Sequence, residues 1–357
     1  MRLYALSACV EAPTTRFNGV VHSIFHHACN VRLEPNALLT LVSSEKGNAP
    51  HGIRLGTPPG FTFLNRLRVG QPVACRGGVL RINGSELSVD LRTANPWHVN
   101  LDALRIDLHQ YPQAQAWALA WFELETHRCK VGWPAMMEGP SCAARDSVTS
   151  ATRTMLGRRG GQAVPLLLEA TRNLKCDAAA AAIEPLIGLG SGLTPSGDDF
   201  LVGYLAGLRS TAGGEVLRER FLAAIGAWLS TATGRTNAIS AAYLDSAARG
   251  NVSEPIATLA QQLAHAQAPD DVRVATRAAL SVGYTSGADG VLGLLLGCLP
   301  WAAPSLSFLQ GQPDLRFIGR YAQQVNAWDA RPNAALHLQT GKETPFLAGI
   351  DQLIVYS

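Results

Sequence analysis

Charge is scarce in this chain of 357 residues: only 16% are Asp, Glu, Lys or Arg, against roughly 25% in an average soluble domain. So little charge implies a large buried fraction or an extensive interface with other subunits. Long hydrophobic runs are lacking too. The longest, "GVLGLLLGCLPWAA", contains Pro300 and falls short of the roughly 20 residues a membrane-spanning helix needs. No run of Lys and Arg forms a basic stripe, and the net charge is only +3, so nucleic acid is not an expected partner. The seven cysteines include no C-x-x-C pair, which argues against a zinc knuckle or a disulfide framework and for reduced thiols. Leu6-Ser7-Ala8-Cys9 looks like a lipoprotein cleavage box, but the apolar segment before it is too short for a signal peptide. A soluble cytoplasmic protein is expected, with no membrane association.

The residues present fall into two periods. From Phe17 to Ala94 apolar residues alternate: Leu87, Val89 and Leu91 share one face of "SELSVDLR", and Glu86, Ser88, Asp90 and Arg92 share the other. "VVHSIF", "NVRLE" and "LLTLV" read as further short strands. Asn83-Gly84 fits the positive φ angles of a two-residue hairpin turn. After Pro112 the spacing becomes helical, as in "AQAWALAWFELETHR", "VPLLLEATRNL" and "EVLRERFLAAIGAWL". The length exceeds that of one ordinary core. The fold class expected is α+β: a small antiparallel barrel or sandwich over residues 1–108, a mainly helical domain over 109–303, and a mixed segment over 304–357.

The helical region repeats itself. "SGDDFLVGYLAG" at 196–207 and "SGADGVLGLLLG" at 286–297 share Ser196/Ser286, Gly197/Gly287, Asp199/Asp289, Gly203/Gly293, Leu205/Leu295 and Gly207/Gly297. Ser and Asp favour helix starts, where their oxygens accept backbone N–H bonds and a carboxylate meets the positive end of the dipole; two capped helices would account for that much. The glycines require more. Asp199, Gly203 and Gly207 lie at i, i+4 and i+8 on one helix face, as do Asp289, Gly293 and Gly297. Each interior glycine costs roughly 1 kcal/mol relative to alanine, a cost that close approach of another backbone can offset. If the two stripes pack together in parallel, both aspartates reach one end; an antiparallel pair would hold them about 15 Å apart.

That end carries a candidate site. The loop "GLGSGLTPSGDD" offers amides at Gly188, Gly190, Gly192 and Gly197 and hydroxyls at Ser191, Thr194 and Ser196; the second copy offers Thr285, Ser286 and Gly287. Amides at a helix start hold phosphate or carboxylate, yet Asp199 and Asp289 repel a bare anion. A hard cation such as Mg²⁺ on Asp198, Asp199 and Asp289 would reconcile the two; otherwise an aspartate caps its helix while the loop amides bind. Between the copies, "TGRTNAISAAYLDS" supplies Arg235 for a carboxylate or phosphate, with Thr236, Asn237 and Ser240 as polar contacts; a surface loop with an N-cap fits equally. No strand precedes the glycines and no Gly-Lys-Ser/Thr follows them, so neither a dinucleotide fingerprint nor a P-loop is present. His22, His26 and His27 lack carboxylate support and read as structural. Trp117 and Trp121, one turn apart, read as core or interface.

The phrases "GLGSGLTPSGDDFLVGYLAGL", "RTNAISAAYL" and "GYTSGADGVLGLLLG", in that order, resemble the AllH-like family over roughly residues 17–300. That family includes the AllH subunit associated with oxamate carbamoyltransferase in anaerobic allantoin breakdown. The resemblance implies partner subunits and a reaction moving a carbamoyl group between oxamate and phosphate, giving carbamoyl phosphate from carbamoyl-oxamate. Both ligands are small anions, and developing oxyanion charge suits pre-positioned donors. The resemblance carries over no catalytic residue, so the roles are read from the residues: Asp199 and Asp289 for orientation or metal, Arg235 for charge neutralisation. Two other readings stand beside it. One is a metal-dependent hydrolase, since the Ser/Thr-Gly-Asp helix starts are locally reminiscent of ADP-ribosylglycohydrolases. The other is a non-catalytic scaffold, in a complex or a homo-oligomer, whose double motif only packs helices.

Overall fold

The computed structural model describes residues 1–34, 37–127, 147–265 and 268–302. The segment after 303, Cys129 and Cys142 lie outside these described residues.

Nine short strands form the first part: β1 (Arg2–Cys9), β2 (Phe17–Ile24), β3 (Ala28–Leu33), β4 (Ala37–Ser43), β5 (Gly52–Leu55), β6 (Pro72–Arg76), β7 (Val79–Ile82), β8 (Ser88–Asp90) and β9 (Asn95–Trp97). They run in the order β5-β4-β3-β2-β6-β7-β8-β1, and a β1–β5 pairing closes the barrel; β9 extends alongside β1. The expected barrel is therefore present. Its pairing is mixed, because β1–β8, β1–β9 and β4–β5 are parallel. Alternation fills the interior: Val31, Leu39, Leu41, Leu80 and Val89 are buried together. Gly84 has the expected positive φ of 71°, but the β7–β8 connection runs from Asn83 to Leu87. Ser85 N–H donates to Ile82 O at 3.1 Å and Leu87 N–H to Ser85 Oγ at 3.1 Å, which widens the turn.

The second part is helical: α1 (Tyr111–His127), α2 (Ser147–Arg172), α3 (Cys176–Ile183), α4 (Ser196–Ala212), α5 (Val216–Ala232), α6 (Ala238–Ala248), α7 (Glu254–His265), α8 (Pro269–Leu280) and α9 (Ser286–Gly297). The two copies of the repeated motif are α4 and α9, and they pack on each other at the centre. Every residue of α9 from Gly287 to Gly297 is buried, as expected of a helix apolar all round. Trp117 and Trp121 belong to this core; their rings stack at 5.4 Å, and Trp117 Nε1–H donates to Leu295 O at 2.9 Å. None of the described helices is long and apolar enough to cross a membrane.

Polar contacts tie the barrel to the helices. Glu254 at the start of α7 accepts from Asn48 N–H at 2.7 Å and Asn48 Nδ2 at 2.9 Å. Ser246 Oγ lies 2.6 Å from His51 Nε2, and Asn251 Nδ2 donates to Glu11 at 2.8 Å. Helix α6 packs on β4, whose outward-facing Thr40 and Val42 are buried. His22, His26 and His27 are engaged within the barrel: His22 with Ser23, His26 with Thr62, and His27 with Ser43 and, contrary to the expectation of no carboxylate support, with Glu45.

Candidate functional site

Glycine positions fix how α4 and α9 meet. A Cβ at Gly203 would collide with Gly290 O, and one at Gly207 with Leu294 O. Reciprocally, a Cβ at Gly293 would strike Phe200 O, and one at Gly297 would strike Tyr204 O. Rising numbers on one helix meet rising numbers on the other, so the helices run parallel and nearly in register. The acidic starts of both therefore arrive at one end, as the stripes predicted.

The Ser-Gly pairs do something other than bind through their amides. Gly197 N–H donates to Leu189 O at 2.8 Å, and Gly287 N–H to Val282 O at 2.9 Å. A Cβ at Gly197 would strike Leu186 O; one at Gly287 would lie 2.8 Å from Leu280 O. In both copies the glycine lets the preceding turn fold against the helix start, which consumes the N–H that an anion would have needed. The capping expectation also changes. Pro195 and Thr285 occupy the N-cap positions, and neither makes a side-chain cap bond. Ser196 and Ser286 are the first helical residues instead.

Freed from capping, the hydroxyls reach across the repeat. Thr194 Oγ1, in the loop before α4, lies 2.9 Å from Ser286 Oγ at the start of α9. Gly190, at φ 129°, brings this loop close: a Cβ there would sit 2.7 Å from Ser196 N. Ser191, Gly192 and Leu193 are exposed and form the outer rim, and Tyr284, 80% exposed, lies beside Thr285 on the other side. The site end is thus open to the surface at its rim and buried beneath.

The two adjacent aspartates of α4 have separate roles. Asp198 is buried and accepts from Gly188 N–H at 2.8 Å and Thr236 Oγ1 at 2.5 Å. Burial raises its carboxyl pKa; the Gly188 amide and the Thr236 and Ser240 hydroxyls oppose the rise. It pins the 186–190 turn to the 236–240 segment, and its acceptor positions face donors. Asp199 is half-buried, with its Oδ2 atom buried and without a hydrogen-bond partner. Burial pushes its carboxyl up to about 8; Asp289 and Asp198 add to the rise, and the Ser286 and Thr194 hydroxyls hold it back. Asp289 itself is fully buried. Among the described residues no three His, Cys, Asp or Glu side chains converge as a metal-binding group. The three aspartates do not converge as one group, because Asp198 turns toward Gly188 and Thr236.

The remaining expected residues divide. Asn237 caps α6, its Oδ1 accepting from Ile239 and Ser240 N–H at 3.0 and 3.2 Å. Ser240 is buried and donates to Leu193 O at 3.3 Å, so it holds the rim loop. The Arg235 guanidinium pairs with Glu184, and both side chains are about half exposed. It forms a surface ion pair.

One neighbour escaped the sequence reading. Burial raises the pKa of Tyr243 in α6; the Thr40 hydroxyl of the barrel opposes the rise and Asp199 adds to it. Behind it, Thr40 Oγ1 donates to Asn30 Oδ1 at 2.8 Å, and Asn30 Nδ2 donates to Ser23 Oγ at 3.0 Å. Asn30 and Thr40 alternate with Val31 and Leu39 and so look solvent-facing in sequence. Both are nonetheless buried, to 4% exposure each, and α6 packs on the β4 strand that carries Thr40.

Comparison with known families gives two matches. The family model described as oxamate carbamoyltransferase subunit AllH matches residues 186–298, which spans both motif helices, the loop before α4 and all of α6. The AllH family N-terminal domain matches residues 4–96, the barrel. No solved structure matches the chain. With barrel and motif helices matched in the same order over more than half its length, this chain belongs to the AllH family.

Proposed function

We propose that this chain is a subunit of a carbamoyl-transferring enzyme and carries, at the shared start of α4 and α9, a site for the reacting carbamoyl compound and phosphate. The observation that supports this reading most directly is the meeting of Asp199, Asp289, Thr194 and Ser286 at one half-open end, inside the region matched by the oxamate carbamoyltransferase subunit.

The difficulty of placing anions beside carboxylates is relieved by a proton. With its carboxyl raised to about 8 by burial, Asp199 is mostly neutral at pH 7 and can donate a hydrogen bond to an anion. A metal is not needed for that purpose. In the reaction, a phosphate oxygen attacks the ureido carbonyl carbon of carbamoyl-oxamate, forming a C–O bond and a tetrahedral oxyanion. The carbon's bond to the oxamate nitrogen then breaks. That nitrogen must receive a proton to leave as the amide of oxamate, and the hydrogen phosphate supplies one overall. Asp199 is suited to give its proton to the departing nitrogen and recover one from phosphate, while burial, with Asp289 adding to it, keeps the carboxyl proton-binding at neutral pH. Hydroxyls of Thr194 and Ser286 are suited to the oxyanion. Partner subunits, implied by the family, would cover the exposed rim.

The test is phosphate-dependent formation of carbamoyl phosphate by the chain assembled with its partner subunits. Asp199→Asn is expected to lower kcat by about 10²-fold or more, the usual contribution of a positioned acid, with the complex intact. Full activity in both Asp199→Asn and Asp289→Asn would remove the pair from the mechanism.

A further inference from the structure

Helix α6 touches the rim loop at one end and the barrel at the other. Just before it, Thr236 Oγ1 donates to Asp198 Oδ2 at 2.5 Å, and Asp198 Oδ1 accepts from Gly188 N–H at 2.8 Å. A Cβ at Gly188 would lie 2.9 Å from Arg235 O, so the base of the rim loop rests on the segment entering α6. In the first turn, Ser240 Oγ donates to Leu193 O at 3.3 Å, next to Thr194 and its contact with Ser286. Toward the other end, Ser246 Oγ meets His51 Nε2 of the barrel at 2.6 Å. A helix rises 1.5 Å per residue, which separates Ser240 from Ser246 by about 9 Å. Over so short a span it moves as a rod, so the seat of Ser246 sets where Ser240 lies.

The turn that carries His51 is held for this contact. Its φ is +51°, in the left-handed region that disfavours every side chain, and among the described non-glycine residues only Leu174 shares that region. Such a conformation persists where its surroundings enforce it. Here Gly52 N–H donates to Ala49 O at 3.0 Å within the turn, and Thr40 N–H donates to His51 O at 3.1 Å. Glu11 sets a carboxylate 3.6 Å from His51 Nδ1 and is itself held by Asn251 Nδ2 at 2.8 Å and by Arg249. An acceptor on that side favours the ring proton on Nδ1 and leaves Nε2 to accept from the Ser246 hydroxyl. Serine, histidine and glutamate in this order would suit a hydrolase relay, but Ser246 is 0% exposed, so no substrate carbonyl reaches its oxygen. The use left to the bond is placement.

We propose that His51 of the barrel is a positioning residue of the α4/α9 site: its bond to Ser246 fixes α6, and α6 fixes the rim loop through Thr236 and Ser240. The proposal rests on the reading of that end as the reacting site and goes further by giving the barrel a part in it. Relaxation of the turn at His51 would withdraw the ring from Ser246, and the rim loop would lose its seat at both base and tip.

Two measurements test this and separate it from the function on which it rests. Glycine adopts the backbone conformation of His51 freely, so His51→Gly removes the ring while sparing the turn and is expected to fold as the wild type does. His51→Gln, whose amide reaches the place of Nε2, is the rescue. The first measurement needs no ligand: amide hydrogen exchange at Gly188 and Leu189, both bonded, the one to Asp198 and the other to Leu186 O at 3.1 Å. Exchange there is expected to rise about tenfold in His51→Gly and in Ser246→Ala, and to return toward the wild-type rate in His51→Gln. Unchanged exchange at both amides in His51→Gly overturns the proposal whatever reaction the enzyme performs. The second uses the assembled enzyme and phosphate-dependent formation of carbamoyl phosphate. His51→Gly is expected to lower kcat about tenfold with KM little changed, because a displaced Thr194 fails the transition state more than the bound substrate. His51→Gly combined with Ser240→Ala should be no worse than the poorer single variant. Losses that multiply in the double variant overturn the route through α6 and the proposal with it. A wild-type enzyme that forms no carbamoyl phosphate overturns the proposed function instead, and the exchange rates then decide the role of His51 by themselves.

Discussion

Replacing Gly203 by alanine tests the geometry on which the site depends. Two opposing effects set the outcome. Alanine is favoured over glycine in a helix interior by roughly 1 kcal/mol. Against this, the added methyl would collide with Gly290 O and lie 2.8 Å from Gly290 C and 2.9 Å from Leu294 N. All three are backbone atoms of α9, so no rotamer change relieves the contact. Overpacking of a core commonly costs about 1–3 kcal/mol, and rigid neighbours place Gly203→Ala at the upper end. The net expectation is a loss of about 2 kcal/mol. Gly290→Ala, on the partner helix, is the internal control. Its methyl would meet Ile256 Cδ1 at 3.4 Å and Asp199 O at 3.8 Å, ordinary contacts, so it should be neutral or stabilising by up to ~1 kcal/mol. Urea unfolding followed by circular dichroism would measure both. Equal stability of Gly203→Ala and Gly290→Ala would refute the interlocked backbones, and with them the argument that the aspartates are forced together.

Three further outcomes follow from the same contacts. Asp199 binds its proton more tightly when folded, with a pKa of about 8 against about 3.9 in an unfolded chain; its contribution to stability is therefore full below pH 4 and lost as pH rises through 8. Removing that term in Asp199→Asn should flatten the decline of stability between pH 5 and 8, by up to ~1.4 kcal/mol per pH unit, and parallel slopes in variant and wild type would refute the assignment. Thr236→Val removes a donor to buried Asp198 and should cost about 1–3 kcal/mol in urea unfolding, the penalty for an under-satisfied buried acceptor; an unchanged midpoint would deny that this bond anchors the loop. Arg235→Ala breaks a half-exposed pair with Glu184 and should change stability by less than about 1 kcal/mol and leave KM nearly unaltered; a large rise in KM would return Arg235 to the substrate.

The repeated motif was legible because its information is local and periodic. Asp199, Gly203 and Gly207 share a helix face by spacing alone, and the cost of interior glycine required a close neighbour; the neighbour found is the matching stripe of α9. What Gly197 and Gly287 do was not legible. Whether a helix-start amide faces solvent or a carbonyl depends on the path of the preceding turn, and in both copies that turn folds back onto it. The separation of Asp198 from Asp199 was hidden for the same reason: adjacent residues on a helix point about 100° apart, and only the neighbours decide what each meets. Alternation identified the barrel but could not show that Asn30 and Thr40 are buried, since a polar residue on an outer face looks the same whether water or another element covers it. The parallel closure of β1 on β8 carries no periodic signal in either strand.

The repeat's near-symmetry in backbone is broken in environment, and under the proposed function that asymmetry divides the roles of the two aspartates. Asp289 is wholly enclosed, behind a short turn that leads directly from α8. Asp199 keeps an opening because the loop before α4 is longer and richer in glycine, reaching outward through Ser191 and Gly192 before Thr194 returns to Ser286. Two identical open carboxylates would both ionise at neutral pH and repel an anionic substrate. Burial raises the Asp199 carboxyl and the neighbouring Asp289 adds to the rise, so Asp199 retains a proton where it remains reachable. On this argument the second copy serves to set the ionisation of the first. Asp289→Asn, which keeps the shape and removes the charge, should then lower the pKa of Asp199 as followed by its carboxyl carbon resonance. A titration that does not move would mean that burial alone holds the proton and that the duplication serves packing only.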